Sequence, residues 1–140
     1  MLLAAALALA ACGGGSHFAN KPRPAAPVNV SVYINDQRVS VSPNSVAPGA
    51  IAITITNQSS SSQSIEVVPS GGGHPVTTTA PISPQANDQV TVKLSNGQYG
   101  VGIAANNATE AAASTPTGIA PGLLKVQGTQ GNSNNQLLQP

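Results

Sequence analysis

The chain of 140 residues has one cysteine, one methionine and no tryptophan, and 2% of it is aromatic. Charge is equally scarce. Charged residues make up 6%, against roughly 25% in an ordinary globular chain. Five basic and four acidic side chains leave a net charge of +1, so long-range electrostatics favour neither nucleic acid nor an anionic surface. No apolar run is long enough for a membrane span, which needs about 20 residues. Polarity comes instead from Ser, Thr, Asn and Gln, beside 14 Gly and 12 Pro. Such a mix suits disorder, but the middle of the chain alternates Val and Ile, which disordered segments lack. The reading is one small β domain between flexible ends, with a core of Val, Ile, Leu and Ala.

Catalytic constellations are missing as well. The acids Asp36, Glu66, Asp88 and Glu110 are scattered. No paired carboxylates, nucleophile elbow or phosphate loop occurs. Ser59 to Ser62 reads as a flexible polar loop with no base beside it. The chain is therefore expected not to be an enzyme.

Strand signals begin at Val28. Val28, Val30, Val32 and Ile34 alternate with Asn29, Ser31 and Tyr33, the period of a half-buried strand. Asn35-Asp36 turns the chain, and Val39 and Val41 resume the pattern. "SPNSVAPG" reads as a turn through Pro48-Gly49. Ile51, Ile53 and Ile55 form the next alternation, followed by the polar "NQSSSSQ". Ile65, Val67 and Val68 predict another strand, and "PSGGGHP" a mobile loop. Thr77 to Ile82 predicts a short edge strand limited by prolines. Val90, Val92 and Leu94, then Tyr99, Val101 and Ile103, flank a turn at Ser95 to Gln98. Gly122 to Val126 closes the series. Seven or eight short strands at this spacing predict an antiparallel Greek-key β-sandwich or barrel. In the long connection Ala104 to Gly118, Asn107 with Glu110 fits the cap of a short helix. Gln127 to Pro140 is rich in Gln and Asn and reads as disordered. Asn29, Asn57 and Asn107 each begin a triplet that fits the glycosylation acceptor pattern, a short pattern that recurs by chance.

The start of the chain reads "MLLAAALALAACGGGS". Met1 to Ala11 matches the apolar region of a secretory leader. Leu9-Ala10-Ala11-Cys12 resembles the lipobox of bacterial lipoproteins. The resemblance implies cleavage between Ala11 and Cys12 and acylation of the Cys12 sulfur. Two or three acyl chains, at about 0.8 kcal/mol per buried CH₂, hold a protein where one chain is marginal. One feature departs from the pattern: Leu2 follows Met1 where a leader carries Lys or Arg. The expected organisation is a leader at 1–11, acylated Cys12 and a Gly/Pro tether over 12–27, a folded domain over 28–127 and a tail over 128–140. Lys21 and Arg23 belong to the solvated tether.

Two longer stretches resemble the cupredoxins, the plastocyanin-like copper domains. "SPNSVAPGAIAITITNQSSSSQSIEVV" is similar to their first half. "ISPQANDQVTVKLSNGQYGVGIA" and "GIAPGLLKV" are similar to the second half and the closing strand. "LSNGQY" resembles a tyrosine corner, in which the Tyr99 hydroxyl bonds to nearby backbone. The family holds copper with two His, one Cys and usually a Met, a soft set that favours that ion. Carried onto this chain, the first His position falls around Gln63 and Ser64, and the Cys position at Ile103. The second His position falls among Ala105 to Glu110, and the Met position at Ile119. None is a ligand. Cys12 is spent on lipid and Met1 leaves with the leader. His17, sixth in the mature chain, cannot make the amino-terminal copper chelate that needs His third. His74 lies in "GGGHP" and reads as a loop residue.

The expectation is thus an acyl-anchored lipoprotein on the extracytoplasmic face of the cell membrane, with no cofactor and no metal. Its partners are the bilayer, through Cys12, and an envelope protein or ligand, with no nucleic acid. The runner-up is a divergent copper-binding or electron-transfer protein. The loops Gln58 to Gln63, Ser70 to Pro75 and Ala104 to Gly118 are the places to look for a binding surface.

Overall fold

Wherever apolar residues alternate in this chain, the computed structural model, which describes residues 24–104 and 118–129, has a strand. The strands are β1 (Val28–Ile34), β2 (Val39–Ser42), β3 (Ser45–Val46), β4 (Gly49–Asn57), β5 (Ile65–Pro69), β6 (Thr77–Thr78), β7 (Asn87–Leu94), β8 (Gly97–Ile103) and β9 (Gly122–Val126). No helix occurs among the described residues. The helix expected within 104–118 lies outside them, apart from its end positions Ala104 and Gly118.

The strands form two sheets, ordered β2-β1-β4-β7 and β3-β9-β8-β5-β6. In β1, Val30, Val32 and Ile34 are buried while Asn29, Ser31 and Tyr33 are exposed. Period-two side-chain alternation produces this two-faced strand. The buried faces of both sheets meet in one cluster that includes Ile34, Ile51, Ile53, Ile55, Val101 and Leu124. Each such side chain contributes about 1.5–3 kcal/mol when fully buried. Tyr99 also joins this core. Its hydroxyl donates to the Ser95 carbonyl at 3.0 Å, the expected tyrosine corner. Ala52 and Ala104 are buried but lie outside the cluster, so alanine contributes less to the core than composition suggests.

Three features differ from the sequence reading. First, the sandwich is not wholly antiparallel. β1 pairs with β4 in parallel over seven residues, Val28↔Ile51 to Ile34↔Asn57. β3 pairs in parallel with β9. The physical cause is the crossing made by β3. The chain leaves the first sheet after β2, touches the second sheet at β3 and returns beside β1 as β4. Second, β3 occupies the stretch that reads as a turn. Third, the edge strand is only Thr77–Thr78, with an isolated bridge between Gln63 and Ile82 further on.

The two sheets approach each other closely at Gly122. A Cβ there would lie 2.6 Å from Val41 Cγ2 and 3.2 Å from the Val39 carbonyl. The first residue of β9 therefore passes directly over β2 of the opposite sheet, and a hydrogen is the largest side chain that fits.

Candidate functional site

Ser59 to Ser62 reads as a flexible polar loop, and the structure corrects this. Asn57 is 0% exposed and Ser59 is 2% exposed. Asn57 Nδ2 donates to the carbonyls of Ser61 at 2.9 Å and Ile82 at 2.8 Å. Its Oδ1 accepts the Ser59 N–H at 2.9 Å and the Ser59 hydroxyl at 2.7 Å. The backbone of Asn57 is held too, donating to Ala86 O and accepting from Gln85 N. Every polar atom of this buried side chain is paired, which is the condition for burying it without penalty. From the outside, Asp36 Oδ1 accepts the Ser60 N–H at 2.9 Å and its hydroxyl at 3.0 Å. The loop is thus fastened to the β1–β2 turn. The signal for this was the Asn-x-Ser at the end of β4, which suits an Asx turn. Burial also makes Asn57 inaccessible as a glycan acceptor in the folded chain.

The positions that the cupredoxin resemblance assigns to copper ligands hold other side chains. Gln63 exchanges backbone bonds with Ile82, and the Ser64 carbonyl accepts the Ala104 N–H at 2.8 Å. Ile103 pairs with Ile65, and Ile103 and Ile119 are both buried in the core. The structure therefore brings the first-His and Cys positions side by side. It fills them with backbone contacts and aliphatic carbon, which supply neither thiolate nor imidazole. Among the described residues no three His, Cys, Asp or Glu are grouped as a metal site. His74 is exposed in the Ser70 to Pro75 loop. Ala11, Cys12, His17, Asn107 and the stretch Ala105 to Glu110 lie outside the described residues.

The second suspected loop borders a groove on the outer face of the β5–β8–β9 sheet. The groove has a volume of about 290 Å³. Its floor exists because β8 reads "YGVGI". Tyr99, Val101 and Ile103 are buried in the core, and Gly100 and Gly102, on the opposite face of the strand, contribute no side chain; Gly100 is half-buried and Gly102 buried. Cross-strand register places Glu66 beside Gly102, and Val68 beside Gly100. Leu123 stands on the other side of Gly100 and is 46% exposed. Pro121 leans over Gly100, 3.6 Å from where its Cβ would sit. Partial burial raises the Glu66 carboxyl above its ordinary value of 4.5. Sequence reading missed this groove; two glycines at period two within a strand were its only trace.

Several solved structures match this architecture, two cupredoxins among them. One is a sodium-dithionite-reduced auracyanin from the photosynthetic bacterium Roseiflexus castenholzii, with 13% identity and a TM-score of 0.51. The match covers 75% of this chain and all of that one. The other is the azurin Az-iso2 from the obligate methylotroph Methylomonas sp. strain J, with 12% identity and a TM-score of 0.50. It covers 74% of this chain and all of the azurin. Both are cupredoxins, and identity this low establishes the fold alone: a cupredoxin-like β-sandwich. No family model matches the sequence, and neither does any curated protein.

Proposed function

We propose that this cupredoxin-like sandwich is a non-enzymatic binding or structural module of the bacterial cell envelope, held on the membrane by an acylated Cys12 and working without a blue copper centre. The observation that carries the reading is the position of the only cysteine. Cys12 closes "LAAC" and precedes three glycines, so the sulfur a blue copper site needs is used for the anchor. The aliphatic Ile103 and Ile119 at two of the family's ligand positions support the same reading. The competing reading, a divergent copper carrier, draws on the fold likeness.

The test is metabolic labelling with palmitate in a bacterial host. Wild type takes up label and is cut before Cys12; Cys12→Ala takes up none and keeps its leader. Equal labelling of both chains overturns the anchor. For the domain, calorimetric titration of the full chain with Cu(II) is expected to give no stoichiometric heat and no visible band. A coloured complex of fixed stoichiometry would establish the copper reading instead.

A further inference from the structure

Gly100 has no structural reason to be glycine. It lies in the middle of β8, which is itself central in its sheet. Its φ is not positive. A Cβ there would meet Pro121 at 3.6 and 3.8 Å and the Val68 carbonyl at 3.9 Å, all ordinary contact distances. Glycine weakens a strand interior, and where packing does not demand it, it marks a close approach by a ligand or another backbone. The surface it leaves is bordered by Val68, Pro121 and Leu123, which are apolar.

Among the described residues one charged side chain, Glu66, lines that surface. Of the acids among the described residues, Asp36 is engaged by Ser60 and Asp88 accepts the Gln89 N–H. The Glu66 carboxylate alone has no hydrogen bond and no ion pair among the described residues. A partly buried carboxylate with no cation beside it among the described residues is free to accept a charged donor. The volume, about 290 Å³, is at the small end for ligand pockets and suits one ring with a short tail.

We propose that this groove binds a small organic cation, its protonated amine against the Glu66 carboxylate and its apolar ring over Gly100 and Gly102. The inference rests on reading the domain as a binding module and is independent of the anchor. Val68, Pro121 and Leu123 wall the ring; the carboxylate supplies orientation through a charge-assisted hydrogen bond.

The test is a titration of the full ¹⁵N-labelled chain with phenethylamine, followed by the amide signals of Gly100, Gly102 and Leu123. The uncharged control is 2-phenylethanol. Saturable shifts at these three amides are expected for the amine, with the alcohol at least tenfold weaker. Glu66→Gln is expected to weaken the amine about tenfold and leave the alcohol unchanged. Gly100→Ala adds one methyl to the floor. It is expected to weaken both probes while the melting temperature stays level or rises, because nothing in the fold excludes that methyl. Absence of saturable shifts, or equal binding by wild type and Glu66→Gln, overturns the proposal. So does a Gly100→Ala chain that melts lower, since the glycine then serves packing. Failed titration with intact palmitate labelling rejects the groove alone; lost labelling with intact titration rejects the anchor alone.

Discussion

Replacing Gly122 by alanine tests how the two sheets close on each other. The added Cβ would sit 2.6 Å from Val41 Cγ2, about 0.9 Å inside the ~3.5 Å at which carbon atoms rest. It would also sit 3.2 Å from the Val39 carbonyl, which belongs to a paired strand and yields less readily. Because the φ of Gly122 is not positive, backbone conformation adds no further cost. The penalty is overpacking, about 1–3 kcal/mol. For a domain of this size that lowers Tm by about 4–8 °C per kcal/mol. Urea unfolding should show a lower midpoint with an unchanged slope. The second arm removes the obstructing methyls by Val41→Ala. In the double variant the two losses should fall short of their sum by about 1 kcal/mol, since one truncation makes room for the other. The carbonyl contact remains, so rescue is expected to be partial. A neutral Gly122→Ala, or strictly additive losses, would refute the claimed contact between β9 and β2.

Two further outcomes follow from the same structure. Asn57→Ala strips the partner from Ser59 N and one of two donors each from Ser61 O, which keeps the Ser59 hydroxyl, and Ile82 O, which keeps the Gln63 N–H. At about 1–3 kcal/mol for a buried donor left unpaired, it should cost at least about 1 kcal/mol and speed amide exchange at Ser59; a loss under about 0.5 kcal/mol would show a solvated loop. Glu66 gives a pH signature. Its carboxyl titrates above the ordinary value because burial disfavours the charged form, so the folded chain keeps a proton that the unfolded chain releases. Its stabilising contribution is present below the unfolded value and is lost as pH rises through the raised folded value. Urea midpoints measured between about pH 4 and pH 7 should therefore shift in favour of Glu66→Gln relative to wild type as pH climbs. A constant gap, or one moving the other way, would contradict the burial of that group.

The sequence by itself determined which residues face inward. Period-two alternation marks a buried face without reference to any neighbour, so β1, β4, β7 and β8 are legible from Val, Ile and Leu alone. Tyr99 is legible too, because its hydroxyl reaches a carbonyl only four residues back. Only the tertiary structure decided which strands are neighbours. Alternation in β1 and β4 is the same whether they run parallel or antiparallel; the crossing through β3 sets the direction. Likewise Asn57 and Ser59 look like loop polarity until Ile82, far along the chain, supplies a carbonyl that lets them be buried. The groove was least legible of all. A glycine contributes nothing to a hydrophobic pattern, and the walls around Gly100 come from β5 and β9, which only the folded sheet places beside it.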